Sequence, residues 1–293
     1  MPILSGLEER LLQKLIEAIG LAEYSLPPDV EDLIRRAYET ETSDIGKAQL
    51  RAILENARIA REEKLPMCQD TGLLSYYVEI GDEFPIKPSR LERILIEATI
   101  QATKRVPLRP NAIDIWRERN TGNNVGQGIP VIYWKPTEGD RLKIAVFPKG
   151  GGSSYVAKLY SIPPAKGLRG LAEVVLKAVY DAGPKPCPPT FIGVGIGGTE
   201  DAAMKLAKKA LLNRMNENSP LEEIARLERE IVEKANQLGI GPMGLGGKWT
   251  VFSARIEWAC RHPATFLVGI SFNCWALRRS FVEVVDGEIK VYQ

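Results

Sequence analysis

Histidine is nearly absent from this chain. Among 293 residues there is one, His262, and that scarcity excludes sites that need several imidazoles, such as His-rich zinc centres and the conventional Ser-His-Asp triad. Cysteine is sparse as well. The four cysteines, at 68, 187, 260 and 274, do not follow a zinc-finger or ferredoxin spacing. Spread this widely in a reducing compartment, they point to metal ligation or reduced thiols rather than to disulfides. Long hydrophobic runs are missing too, and no stretch of about 18 uncharged apolar residues could span a bilayer. Residues 1–9 lack the basic start and apolar run of a secretory signal, so a cytoplasmic protein is expected. Neither sign of charge dominates: Lys and Arg total 39 against 37 for Asp and Glu, a formal net charge of +2. Opposite charges alternate along 8–14 and 222–234, which gives nucleic-acid or membrane-surface binding no electrostatic basis.

What is present suits a globular protein. Hydrophobic residues make up 44% of the chain and charged ones 26%, enough for one large core or two modest ones. Over 7–62 the apolar positions recur at helical spacing, for example Leu11, Leu12, Leu15, Ile16 and Ile19, which predicts a helical N-terminal layer. From 73 onward short β-rich runs at 74–80, 129–134 and 142–147 alternate with helical patterns at 90–104 and 168–181. Residues 201–237 read as two amphipathic helices around a turn at 216–220, where Asn, Ser and Pro cluster. Further β-like stretches follow at 249–256, 266–272 and 281–292. The expected fold is mixed α/β, a helical N-terminal layer packed on a mixed β-sheet body with flanking helices. It is read as one domain over 1–293, with the helical layer ending softly near 62.

Three of the thiols sit in contexts shaped by proline, glycine or neighbouring polar groups: Pro66-Met67-Cys68-Gln69-Asp70-Thr71-Gly72, Pro186-Cys187-Pro188-Pro189 and Phe272-Asn273-Cys274-Trp275. Restricted backbone around a thiol suits a rigid metal cluster whose ligands come from distant parts of a chain. Buried inert cysteine is an equally ordinary reading on residue type alone. Seven strings separate the two: CQDTG at 68–72, LRPN at 108–111, NTGNN at 120–124, KGGGS at 149–153, CPPTFIGVGIGGT at 187–199, GIGPMGLGGK at 239–248 and HPATFLVGISFNCW at 262–275. In content and order they resemble the alpha subunit, or N-terminal region, of class I fumarases and L-tartrate dehydratases, over about residues 5–280.

The resemblance implies a hydro-lyase carrying a 4Fe–4S cluster on three cysteines, which map here onto Cys68, Cys187 and Cys274. Cys260 matches no ligand motif and reads as a buried or free thiol. Three protein ligands leave one iron open to act as a Lewis acid toward a substrate hydroxyl and carboxylate. The resemblance further implies that Gln69 and Asp70 contact substrate, with Asp70 as the acid–base group near the hydroxyl. Asp-Thr-Gly is also ordinary turn chemistry. Arg109 resembles the arginine that clamps a substrate carboxylate with its planar fork, and Gly152 the glycine whose backbone approaches substrate. The glycine loop departs from the family pattern at Tyr155, where an asparagine is expected. The expected reaction is fumarate to (S)-malate. The alternatives are L(+)-tartrate to oxaloacetate, or a non-catalytic iron–sulfur scaffold, against which Gln69, Asp70 and Arg109 argue. A separate beta subunit would supply further substrate contacts and the proton-abstracting residue, with alpha–beta units pairing as a dimer around a small dicarboxylate substrate.

Two glycine patterns invite other readings. Gly193, Gly195 and Gly198 fit G-x-G-x-x-G, a weak dinucleotide signal whose upstream proline context belongs instead to the motif above. The run 241–248 is no P-loop, because Pro242 stands where a glycine is required and Trp249 follows the lysine. It is expected to pack closely against the cluster or the partner. His262, before Pro263, reads as a structural residue more readily than a catalytic one.

Overall fold

The computed structural model describes residues 6–293. Residues 1–5, on which part of the signal-peptide reading rests, lie outside the described residues. In chain order the elements are α1 (Gly6–Tyr24), α2 (Pro28–Thr40), α3 (Asp44–Glu63), β1 (Leu73–Gly81), α4 (Pro88–Arg105), β2 (Ile113–Asp114), β3 (Arg119–Asn120), β4 (Val131–Thr137), β5 (Leu142–Lys149), α5 (Gly151–Tyr155) and β6 (Lys158–Ser161). There follow α6 (Gly167–Ala182), β7 (Thr190–Ile196), α7 (Glu200–Ala210), α8 (Glu222–Asn236), β8 (Val251–Trp258), β9 (Leu267–Asn273), β10 (Ser280–Val285) and β11 (Glu288–Tyr292). The fold is mixed α/β, as the sequence predicts, and no described helix is long and apolar enough to cross a membrane.

Helix boundaries follow local chemistry. Pro28 opens α2, where its missing N–H costs nothing. Ser43 caps α3, its Oγ accepting from the Gly46 N–H at 3.2 Å. One stretch differs from expectation: the β-like run 281–292 is two strands, because Asp286 and Gly287 adopt positive φ of 51° and 77° and turn β10 back onto β11. An Asp-Gly pair between alternating apolar residues is the hairpin signal that makes the turn.

The chain divides into two compact units, each assembled from separated stretches. The first comprises residues up to Pro27, Asn56–Gly150 and Arg278–Gln293; the second comprises Pro28–Glu55 and Gly151–Leu277. The predicted N-terminal helical layer is thereby shared out, α1 belonging to the first unit, α2 to the second, and α3 running through the boundary at 55/56.

In the first unit a five-stranded sheet has the order β11-β10-β5-β1-β4, with β1 and β4 parallel and the other pairs antiparallel. Leu11, Leu15 and Ile19 of α1 and Leu91, Leu95 and Ala98 of α4 pack on Tyr76, Val78, Ile144, Val146 and Val282 of the sheet. Burial of this kind contributes roughly 25 cal/mol per Å² of apolar surface. The buried Tyr76 hydroxyl is satisfied by Thr99 Oγ1 of α4 at 2.8 Å.

The second unit has a four-stranded sheet of order β6-β9-β7-β8, with β7 and β8 parallel. Ile192 and Val194 of β7 face α6 and α8 through Leu171, Val175, Leu227 and Ile231. Alternation along the strand turns Gly193 and Gly195 to the opposite face, which α7 covers. A Cβ on either glycine would come within 2.0 Å of a carbonyl of α7, Ala207 for Gly193 and Ala203 for Gly195. The G-x-G-x-x-G pattern is thus strand–helix packing, two of its glycines lying within β7 itself.

Candidate active site

In the first unit, the chain leaves α3 and reaches β1 through the loop that carries Cys68, Gln69 and Asp70. Met67 is held at both polar ends: its N–H donates to the Glu23 carbonyl at 3.1 Å, and its carbonyl accepts from Asn56 Nδ2 at 2.8 Å. Cys68 and Asp70 are half-buried and Gln69 is exposed. Asp70 Oδ1 accepts the Gly72 N–H at 3.0 Å, so the turn predicted for Asp-Thr-Gly is formed. Its other carboxylate oxygen lies against Gly150, where a Cβ would stand 2.9 Å from Oδ2. Gly72 has φ +75° and stands so close to Lys149 that a Cβ would meet that residue's backbone at 2.6 Å.

Arg109 is brought beside this loop through main-chain contacts. Its N–H donates to Thr71 Oγ1 at 3.1 Å, and Thr71 Oγ1 donates to its carbonyl at 3.3 Å. Asn111 Nδ2 donates to the Gly72 carbonyl at 3.1 Å. Asn124, buried and with φ +59°, accepts the Asn111 N–H at 2.6 Å and donates to the Arg109 carbonyl at 3.1 Å. Asn120 Nδ2 donates to the Pro110 carbonyl. The strings LRPN and NTGNN are therefore lacing: they fix the backbone that carries Arg109, whose side chain is exposed.

The second unit gathers Gly152, Cys187 and Cys274. Ser153 of the short helix α5 is buried, and its Oγ donates to Asn273 Oδ1 at 3.3 Å, one residue before Cys274. A Cβ at Gly152 would lie 3.5 Å from the Lys185 carbonyl, and the Trp275 N–H donates to the Cys187 carbonyl at 3.5 Å. Cys187 is exposed and has φ +52°. A non-glycine residue held in the left-handed region is uncommon, and such residues cluster at functional sites. Cys274 is half-buried, and none of the four thiols is in a disulfide. Among the described residues, no group of three or more His, Cys, Asp or Glu side chains forms a site for a single metal ion.

Two other residues lie at the surface. His262 is exposed, and its Nδ1 accepts the Ala264 N–H at 3.1 Å within a local turn. Cys260 is exposed rather than buried, since it lies beyond the end of β8. The glycine-rich run 239–248 has an internal partner: Glu41, buried, accepts from the N–H groups of Lys248 at 2.8 Å and Trp249 at 3.1 Å, and from Thr42 and Ser43 at 2.8 and 2.9 Å. Burial raises the pKa of this carboxyl, but the backbone donors outweigh it and hold it below the ordinary glutamate value.

No sequence motif marks Glu23 or Arg278. They lie 255 residues apart and form a buried ion pair, Arg278 Nη1 to Glu23 Oε2 at 2.5 Å. Burial, the larger effect, raises the Glu23 carboxyl above the ordinary glutamate value although Arg278 pulls it down. No local pattern distinguishes such a pair, because each partner looks like an ordinary charged residue.

The chain matches the family model described as fumarate hydratase (Fumerase) over residues 12–283. A Methanocaldococcus jannaschii protein provisionally named L(+)-tartrate dehydratase subunit alpha is 43% identical over 275 residues, 92% of this chain and 96% of that protein. The L(+)-tartrate dehydratase subunit alpha of an Escherichia coli strain is 35% identical over 282 residues, covering 94% and 93%. That of Shigella sonnei is 35% identical over 277 residues, covering 93% and 91%.

Proposed function

Because the chain belongs to the fumarate hydratase (Fumerase) family, we propose that it is the alpha subunit of an iron–sulfur hydro-lyase that converts L(+)-tartrate to oxaloacetate together with a beta subunit. The observation that carries the substrate choice is identity of 35–43% to alpha subunits named for L(+)-tartrate dehydratase, over more than nine-tenths of both chains. This moves the preference from fumarate, the expected reaction, to the alternative.

Cys68, Cys187 and Cys274 would hold a 4Fe–4S cluster. Thiolates are the soft donors such clusters take, and two of these segments already share a backbone hydrogen bond in the second unit. When bound, the cluster supplies an open iron that acts as a Lewis acid toward a departing hydroxyl. The chain's own groups do the rest. Asp70, oriented by its bond to the Gly72 N–H with its other oxygen against Gly150, is the acid–base group that passes a proton to the hydroxyl leaving as water. Gln69 donates to substrate oxygen, and Arg109 clamps a carboxylate through its fork. The Gly152 backbone approaches the substrate without a side chain in the way. Loss of water from the diol gives an enol that tautomerises to the keto acid. The proton on the neighbouring carbon is removed by a group of the beta subunit.

The decisive experiment is anaerobic reconstitution of this chain with its beta partner, followed by parallel assays with L(+)-tartrate and fumarate. We expect tartrate dehydration with the higher kcat/KM, and its loss together with bound iron in Cys274→Ser. Fumarate hydration as the faster reaction would support the second reading, favoured by the family's description. Turnover of neither acid would sink the proposal.

A further inference from the structure

The loop bearing Cys68, Gln69 and Asp70 is gripped at both ends by the same buried ion pair. Glu23, in the last turn of α1, is fully inaccessible, and Arg278, just before β10, is 2% exposed. The Glu23 main-chain carbonyl accepts the Met67 N–H at 3.1 Å. The Glu23 carboxylate accepts Arg278 Nη1 at 2.5 Å, and Arg278 Nη2 donates to the Asp70 carbonyl at 2.9 Å. The two fixed points, Met67 and Asp70, bracket Cys68 and Gln69. All of these residues belong to the first unit.

Buried ion pairs are poor devices for stability, since the cost of desolvating two charges can exceed their attraction. In some systems a buried charged group instead fixes a geometry. A guanidinium offers a rigid set of donors in one plane, so Arg278 can hold Glu23 with one nitrogen and the Asp70 backbone with the other. An ammonium at the same place is a point charge on a flexible stem and cannot reproduce both directions at once.

We propose that Glu23 and Arg278 are positioning residues that set the orientation of Gln69 and Asp70 toward the substrate. The proposal rests on the hydro-lyase reading for its kinetic arm. Neither residue touches substrate; both act through the backbone of the loop.

The test uses Arg278→Lys and the paired exchange Glu23→Leu with Arg278→Met, which keeps the site filled without charge. Hydrogen exchange of the peptide 67–72 in the full chain reads the clamp without any turnover. In Arg278→Lys we expect at least about tenfold faster exchange there, with β1 unchanged and the melting temperature nearly so. In the reconstituted complex, kcat should fall about 10- to 100-fold with little change in KM and normal iron content. The paired exchange should fold and melt like the parent yet recover none of the lost kcat. Unaltered exchange in Arg278→Lys, or recovery of kcat in the paired exchange, would overturn the proposal. If the parent complex turns over neither tartrate nor fumarate, the hydro-lyase reading fails and the exchange measurement alone decides the clamp.

Discussion

At residue 150 the absence of one methyl group decides where the Asp70 carboxylate can lie. A Cβ there would stand 2.9 Å from Asp70 Oδ2 and 3.3 Å from its Cγ, closer than carbon and oxygen tolerate without a shift. Gly150→Ala should therefore push the carboxylate aside while leaving β5 intact. We expect kcat to fall about 10- to 100-fold, the scale on which sub-ångström to 1 Å displacements act, with iron content at the parent level. An alanine variant with normal kcat would show that Asp70 works from another position. The thiols divide on similar local grounds. Cys187 occupies a left-handed backbone position between prolines, whereas Cys260 lies exposed beyond a strand end with no such constraint.

Among the elements, the glycine-rich loop 239–248 shows how a run of small residues can serve an internal anion. The Lys248 amide in this loop and the Trp249 amide just after it close over Glu41, which sits between α2 and α3 and also caps its own chain at Thr42 and Ser43. Charge-assisted bonds from backbone donors are stronger than neutral ones. Glu41→Gln removes the charge and replaces an acceptor by a donor, and should destabilise the chain by roughly 2–3 kcal/mol at neutral pH. The sign of the pH dependence follows from the lowered carboxyl. The folded state holds the proton less readily than the unfolded one, so the stabilisation is present above the ordinary value of 4.5 and is lost as pH falls below it. Urea midpoints of parent and variant should converge on going from neutral pH to about pH 3. A gap that stays constant would assign the effect to shape alone. The strand β7 obeys the same logic of small residues: Gly193 and Gly195 admit α7 to within contact of the strand backbone, and the pattern that mimics a nucleotide fingerprint is consumed in that packing.

For the whole molecule, the family model covers residues 12–283, and the relatives it resembles are named as alpha subunits. The pure chain, reconstituted alone, should therefore show at most a small fraction of the turnover it reaches with a beta subunit. Addition of that partner should restore activity in proportion to its concentration until the complex is saturated; full activity of the chain alone would refute the need for it. Much of this was legible without coordinates. The periodicities placed α4, α6, α7, α8 and most strands, because amphipathic spacing is a local property of sequence. The seven motif strings placed the thiols, Asp70 and Arg109 in family context. The Asp286-Gly287 hairpin signal is equally local but is masked, since the apolar alternation on either side runs on as if unbroken. Other features could not be read at all. The division into two discontinuous units, the lacing of Thr71, Asn111 and Asn124, the Glu41 nest and the Glu23–Arg278 pair all join residues distant in the chain. Helix and strand periods and the motif strings can be read along the chain, because they depend on neighbours a few positions away. Which buried charges meet and which backbone groups they hold emerges only in the folded chain, because hydrogen-bond partners are chosen by proximity in space.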